Sequence, residues 1–195
     1  MNIACIGWGS LVWDPRDLPI RGIWFADGPL LPVEFLRQSK DERITLVLSE
    51  TATPVRTLWC LMSTPSLDAA ITSLGEREGI PEEYVKKSIG RWQGEKSDDP
   101  ICTTIGKWAK KMQIDAVVWT NLSAKFGGKK NVPLVDEIVR HLDNLPHEKR
   151  HVAEEYVRRT PLQIDTEYRR AIEKALGWPP IGANSTDMNR TRTNE

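Results

Sequence analysis

GWGSLVWDP, from Gly7 to Pro15, is the stretch of sequence that decides the fold. The short apolar run Ile3–Ile6 precedes it, so a predicted strand leads directly into a loop that contains two glycines. Glycine permits positive φ angles and close approach of a ligand, and successive N–H groups in such a loop can bind an anion. Taken alone, the stretch fits either a plain glycine turn or the floor of a small-molecule site.

Three common glycine motifs do not fit this loop. A dinucleotide-binding fingerprint needs a third glycine where Val12 stands, and a phosphate-binding Walker loop needs a Gly-Lys-Ser/Thr run that is missing. A nucleophile elbow places serine between the glycines, where Trp8 stands instead. The loop therefore gives no indication of a nucleotide or of a serine nucleophile.

Length and composition favour one globular domain over residues 1–180, followed by a polar tail over 181–195 that we expect to be disordered. The formal net charge is +0, which argues against nucleic acid or an anionic membrane as a partner. There is no signal-peptide pattern and no apolar run of membrane-spanning length. Three widely spaced cysteines fit reduced, structural thiols and a cytoplasmic location. The oligomeric state is left open.

The pattern along the chain predicts an α+β fold, with strands first and helices packed outside. Segments rich in β-branched and other apolar residues predict five strands, at Ile3–Trp8, Val33–Arg37, Ile44–Leu48, Val55–Met62 and Asp115–Thr120. The last of these is isolated and late, which indicates a crossover back to the same sheet. Helical spacing predicts a helix that begins at Thr64-Pro65 and further helices over Leu134–Leu142 and Ile164–Leu176, the last ended by Gly177.

The first predicted helix ends in two glutamates with different expected environments. At about 100° per residue, Glu78 projects onto the apolar stripe of the helix and Glu76 onto the opposite face. Gly79 is suited to end the helix. A desolvated carboxylate favours its neutral form, which suits Glu78 to general-base chemistry near neutral pH. The alternative is a solvated helix end, or an ion pair of Glu78 with Arg77 or Lys87.

A second candidate site is the HExxH pattern formed by His147, Glu148 and His151. On a helix the two histidines would share one face and bind zinc, with the glutamate as general base. Such a site needs a third ligand, and the strongly charged segment favours an exposed helix with ion pairs. A zinc hydrolase is therefore the weaker alternative.

Two segments match, in order, the motifs of one family. Gly7–Pro15 fits G-Y-G-S-L-[IV]-W-x-P, with Trp8 in place of tyrosine, and Leu74–Glu78 fits L-D-x-[RQ]-E, with Gly75 in place of aspartate. The chain thereby resembles the γ-glutamyl cyclotransferase superfamily, most closely its glutathione-specific branch. The family's catalytic glutamate closes the second motif, so the resemblance places it at Glu78.

The resemblance extends from Ile3 to Ile80 and implies a small mixed β-barrel with surrounding helices. It implies a lyase that cyclises a γ-glutamyl unit of a small-molecule substrate to 5-oxoproline and releases an amine, without a cofactor or a metal. Glu78 is the expected catalytic residue, and the expected substrate-binding residues are Trp8, Gly9, Ser10, Leu11 and Trp13. A non-catalytic module that binds a small ligand on the same barrel is the principal alternative.

Overall fold

The computed structural model of the protein describes residues 1–181, in which nine strands and seven helices are found. The strands are β1 (Ile3–Gly7), β2 (Ile20–Phe25), β3 (Leu30–Leu31), β4 (Val33–Gln38), β5 (Ile44–Leu48), β6 (Val55–Arg56), β7 (Leu58–Met62), β8 (Ile89–Trp92) and β9 (Ala116–Thr120). The helices are α1 (Ser10–Trp13), α2 (Leu67–Arg77), α3 (Glu82–Ser88), α4 (Pro100–Lys111), α5 (Val135–Asp143), α6 (His147–Arg159) and α7 (Glu167–Leu176). The tail predicted over 181–195 lies, apart from Ile181, outside the described residues.

A five-stranded mixed sheet forms the centre, with its strands in the order β2, β7, β1, β9, β8. The middle strand β1 is buried along its whole length. It pairs antiparallel with β7, where Cys5 lies opposite Cys60, and parallel with β9, where Ala4 lies opposite Val117. Parallel neighbours need a long crossover between them. The late strand therefore returns to the first sheet, as the sequence predicts.

The strands of the described residues do not close into the small barrel that the resemblance implies. β3 pairs with β6 and β4 with β5, in two ladders that are separate from the central sheet. The segment predicted as one strand over Val55–Met62 breaks at Thr57, whose N–H donates to the Pro29 carbonyl at 3.1 Å. β4 in turn bonds to the loop after β9, since the Gln38 N–H donates to the Lys125 carbonyl at 2.7 Å. Both bonds join residues that are distant in sequence, and both engage these segments outside the central sheet.

Side-chain caps set where two of the predicted helices begin. α2 begins after Ser66 rather than after Thr64, because the Ser66 hydroxyl accepts the N–H of Ala69 at 3.2 Å. α7 begins after Thr166, whose hydroxyl caps it in the same way. It ends, as predicted, at Gly177, which has a φ of 68° that glycine adopts without strain.

The cysteines and the helices show two further properties. Cys5 and Cys60 are buried, Cys102 is half-buried, and all three are free thiols. A hydrogen bond with Cys60 and burial raise the pKa of the Cys5 thiol, so Cys5 is uncharged at neutral pH. Within residues 1–181, every helix falls short of the length and apolar character that crossing a membrane requires.

A buried carboxylate joins the β4–β5 ladder to α7. Glu34 is 4% exposed and accepts hydrogen bonds from the Phe35 N–H at 2.8 Å, the Tyr168 N–H at 3.2 Å and the Thr166 hydroxyl. The Tyr168 N–H belongs to the first turn of α7, where a helix leaves its donors unpaired. Burial raises the pKa of Glu34 above its usual 4.5, although these three donors oppose the shift.

This raised pKa predicts a pH-dependent contribution of Glu34 to stability. A carboxyl with a raised folded-state pKa gives its full contribution below the unfolded pKa and loses it as the pH rises through the folded value. We expect the free energy of unfolding of the wild type, relative to Glu34→Gln, to fall as the pH is raised from about 4 to about 8. Urea denaturation at each pH measures it, with the exposed Glu50→Gln as control. A difference that stays constant with pH would contradict the prediction.

Candidate active site

The glycine loop leaves β1 and forms one helical turn, α1. The N–H of Val12 closes this turn on the Gly9 carbonyl at 2.9 Å. The N–H groups of Gly9, Ser10 and Leu11 have no hydrogen-bond acceptor within residues 1–181. Three consecutive backbone donors are therefore available to a negatively charged group in front of the loop.

Both glycines are needed for close approach and not for a positive φ. Gly9 has a φ of −126°, and Gly7 is likewise outside the positive region. A Cβ on Gly9 would lie 2.5 Å from the Tyr156 hydroxyl oxygen, and a Cβ on Gly7 would lie 2.8 Å from the ring of Trp24. Side chains at these positions would push the loop away from its neighbours.

A cavity of about 610 Å³ opens beside this loop, a volume within the usual range for small-molecule sites. It brings together all but one of the predicted site residues, namely Trp8, Gly9, Ser10, Leu11 and Glu78. The structure corrects the placement of Trp13, which is not part of the lining. Its ring packs edge-on against Tyr156 at 5.5 Å, so it supports the wall from behind.

Glu78 occupies the end of α2, and its surroundings match the alternative that the sequence left open. Gly79 has a φ of 63°, and the N–H of Ile80 returns to the Gly75 carbonyl at 2.9 Å, which ends the helix as predicted. The helix ends one turn beyond Leu74, past its apolar packing. The Glu78 side chain is accordingly 19% exposed and lines the cavity. It forms the ion pair with Arg77 that the sequence offered as the alternative to a desolvated carboxylate.

The buried charge at this helix end belongs to Arg77, whose side chain is 5% exposed. One terminal nitrogen donates to Glu78 Oε1 at 2.6 Å, and the other donates to the Asp14 carbonyl at 2.6 Å and to Ser10 Oγ at 3.3 Å. The planar guanidinium thereby joins the end of α2 to the glycine loop. Glu78 Oε2 makes no hydrogen bond within the described part of the chain, which leaves it free to accept a proton.

Tyr156, on α6, brings a phenol to the same place. It is 6% exposed, and its oxygen accepts the N–H of Leu46 at 3.3 Å. Burial raises the pKa of Tyr156 to about 12, while the Leu46 N–H opposes the shift. The phenol is therefore protonated at neutral pH, and its O–H has no acceptor within residues 1–181. The O–H is a spare donor beside Gly9 in the cavity lining.

Trp8 fixes the loop against the β4–β5 ladder. It is 4% exposed, and its indole N–H donates to the Leu46 carbonyl at 3.3 Å. Leu46 therefore binds Trp8 through its carbonyl and Tyr156 through its N–H. The loop and α6 are held in register by one residue of β5.

The HExxH segment forms no metal site within residues 1–181. His147 and His151 are exposed on α6, and no group of three His, Cys, Asp or Glu side chains there is placed to hold a metal ion. The segment instead takes part in ion pairs such as Lys149 with Glu42 at 2.6 Å. This arrangement matches the exposed charged helix that the sequence favours.

No protein-family model matches the chain, and no curated protein matches it. Among solved structures, the chain is similar to the crystal structure of a glutathione-specific γ-glutamyl cyclotransferase from yeast. That similarity has a TM-score of 0.46 and 12% sequence identity, over 91% of this chain and 98% of the yeast chain. Function is therefore inferred from the geometry of the site in this chain.

Tyr156 and Arg77 are the site residues that sequence reasoning missed. The signal for Tyr156 was its spacing with Ala153 and Val157, which form one buried stripe on α6. A tyrosine on a buried stripe needs a partner for its hydroxyl. For Arg77, the sequence indicated only an ion pair with Glu78. It carried no signal for the contacts of Arg77 with the glycine loop.

The contact between Gly9 and Tyr156 makes a sharp prediction. Gly9→Ala should lower the free energy of unfolding by about 1–3 kcal/mol, because the new methyl group meets the Tyr156 oxygen. In a Tyr156→Phe background the next atom is 3.4 Å away, so the same change should cost far less. A double-mutant cycle by urea denaturation measures the coupling. Strictly additive effects would show that the two groups do not meet.

Proposed function

We propose that the protein is a cofactor-independent γ-glutamyl cyclotransferase, which converts a γ-glutamyl unit to 5-oxoproline and releases an amine. The observation that carries the proposal is a carboxylate with a free oxygen, Glu78, in the same cavity as three unpaired backbone donors. Cyclisation needs a base for an amine and donors for a developing oxyanion, and this cavity supplies both. The match to the family motifs supports the same reaction.

Glu78 acts as the base in this scheme. The α-ammonium group of the substrate has a pKa of about 8, so it must lose a proton before it can attack. Oε2 of Glu78 takes that proton while Oε1 stays bound to Arg77. The amine nitrogen then forms a bond to the γ-carbonyl carbon. The bond from that carbon to the leaving nitrogen breaks as Glu78 returns the proton to that nitrogen. The ring nitrogen gives up its second proton to the departing amine, which leaves as an ammonium ion.

The loop stabilises the charge that develops during ring closure. The carbonyl oxygen becomes an oxyanion when the five-membered ring forms, and the N–H groups of Gly9, Ser10 and Leu11 are the donors available to it. The Tyr156 O–H is a further donor beside Gly9. Nucleophile and electrophile belong to one molecule, so holding the folded substrate supplies much of the rate enhancement.

A non-catalytic binding module is the second candidate, and one observation favours it. Glu78 Oε1 is already paired with Arg77 at 2.6 Å, and this ion pair can hold the loop in place without any catalytic role. In such a module the loop donors and Tyr156 would hold an acidic ligand without turnover. The two candidates differ in whether 5-oxoproline is released.

A comparison of two neighbouring glutamates tests the assignment of the base. We expect wild type to release 5-oxoproline from at least one member of a panel of γ-glutamyl compounds. Glu78→Gln should lower kcat by about 10²- to 10⁴-fold, the usual contribution of a general base. Glu76→Gln, on the exposed face of α2, is the matched control and should retain activity. Full activity in folded Glu78→Gln would exclude this base. Absence of release by wild type across the panel would favour the binding module.

Removal of the Tyr156 hydroxyl tests its role as a donor. Tyr156→Phe keeps the packing against Trp13 and should lower kcat at least about tenfold, because a transition-state donor is lost. The measurement is steady-state kinetics of 5-oxoproline release, with circular dichroism to confirm folding. Unchanged kcat in a folded variant would limit Tyr156 to packing.

A further inference from the structure

One wall of the cavity carries more positive charge than the proposed reaction uses. Apart from Arg77 and Glu78, the lining contains four cationic side chains and one anionic side chain. The cations are Arg16, Arg37, Lys40 and Arg43, and the anion is Asp41. Arg37 belongs to β4, and Lys40, Asp41 and Arg43 lie in the turn between β4 and β5. The excess is local, because the chain as a whole has a net charge of +0.

Two of these cations have carboxylate partners and two do not. Arg43 pairs with Asp41 at 2.9 Å, and Arg16 pairs with Asp14 at 3.3 Å. Arg37 and Lys40 form no salt bridge within residues 1–181. They are therefore the two charges of this wall that an anionic ligand would neutralise.

Arg37 is held in position although it lacks a counter-ion. It is half-buried, and one terminal nitrogen donates to the Ser123 carbonyl at 2.7 Å. Its own carbonyl accepts the Thr45 hydroxyl at 3.1 Å, and its backbone bridges to Lys125. Burial lowers the pKa of Arg37, which reflects the cost of removing a cation from water. A fixed, partly desolvated guanidinium with spare donors is suited to bind a carboxylate.

This wall lies beside the reacting centre, across the ring of Tyr156. The Tyr156 hydroxyl lies against Gly9, whereas the guanidinium of Arg43 lies over the Tyr156 ring, 5.4 Å from its centre. The loop thus borders one end of that ring and the β4–β5 turn borders its face. The cavity, about 610 Å³, has room for more than a γ-glutamyl unit. The remainder of a substrate would extend along the positively charged wall.

We infer that Arg37 and Lys40 form a subsite for a carboxylate on the leaving amine. The inference rests on the proposed cyclisation, and it makes these two side chains the residues that select a leaving amine with a free carboxylate. Conjugates of neutral or cationic amines would leave both side chains without a partner, and a cationic amine would also be repelled.

A pair of matched substrates tests the subsite. γ-Glutamyl-alanine and γ-glutamyl-alaninamide differ only in the terminal carboxylate, so the ratio of their kcat/KM values reports on it. We expect wild type to prefer the carboxylate by at least about tenfold, as for a charge-assisted hydrogen bond. The preference should weaken as the salt concentration rises.

Charge-removing variants assign the preference to residues. Arg37→Gln should bring the ratio toward one, and Lys40→Gln, at an exposed position of the turn, gives a second reading if Arg37→Gln does not fold. Arg21→Gln and Lys107→Gln remove exposed charges outside the cavity lining and should keep the wild-type ratio. A wild-type ratio near one, or a ratio unchanged in the folded variants, overturns the inference.

Binding separates failure of the subsite from failure of the cyclisation. Calorimetric titration of Glu78→Gln with the same two compounds measures their dissociation constants in the absence of the cyclisation reaction. If wild type cyclises neither compound but Glu78→Gln binds the carboxylate form more tightly, the subsite stands and the proposed function fails. Equal binding of the two forms, or binding of neither, overturns the subsite.

Discussion

The guanidinium of Arg77 joins the end of α2 to the glycine loop. It bonds to Glu78 at the end of α2, to the carbonyl of Asp14 and to the hydroxyl of Ser10. A cation that is 5% exposed is stable only with such partners, and its Nε still lacks one within residues 1–181. Any movement of the loop away from α2 would remove partners from a buried charge. The fork of donors therefore constrains the distance between the carboxylate and the loop amides. Lysine has no planar fork with which to span these acceptors.

The central sheet explains why residues so distant in sequence meet at this point. Alternate side chains of β1 enter two hydrophobic clusters, Ala4 and Ile6 on one face and Ile3 and Cys5 on the other. α2 packs in the second cluster, whereas Tyr156 of α6 belongs to the first. Both clusters reach the glycine loop that follows β1, since Trp8 belongs to the first and Leu11 to the second. Glu78 thus reaches the loop from one side of the sheet and the Tyr156 phenol from the other.

Local sequence predicted those parts of the site that depend on local chemistry. Gly79 ends α2 as predicted, because a left-handed residue is needed there, whereas the spacing left the environment of Glu78 open between a desolvated carboxylate and an ion pair. β8 was missed because its four residues, Ile89–Trp92, include a glycine and an arginine and are too short for a clear alternation. β2 was missed because Gly22, with a φ of 84°, interrupts an edge strand. The prediction of a closed barrel was wrong for a non-local reason. The break between β6 and β7 at Thr57 depends on a hydrogen bond to Pro29, which is distant in sequence.

The charged side chains of the cavity form two sets, the Arg77–Glu78 ion pair and the cations on the side of the β4–β5 turn. Arg77 forms an ion pair with Glu78, so it has little remaining attraction for a substrate carboxylate. The same ion pair orients the Glu78 carboxylate. In the proposed reaction, the carboxylates of a substrate would therefore bind elsewhere in the cavity. Their partners would be the N–H groups of the loop and the side chains of Arg37 and Lys40, which form no salt bridge within residues 1–181. The Tyr156 hydroxyl lies against Gly9 of the loop, whereas Arg43 of the β4–β5 turn lies over the face of the same ring. The proposed base and the proposed anion subsite therefore occupy different parts of one cavity.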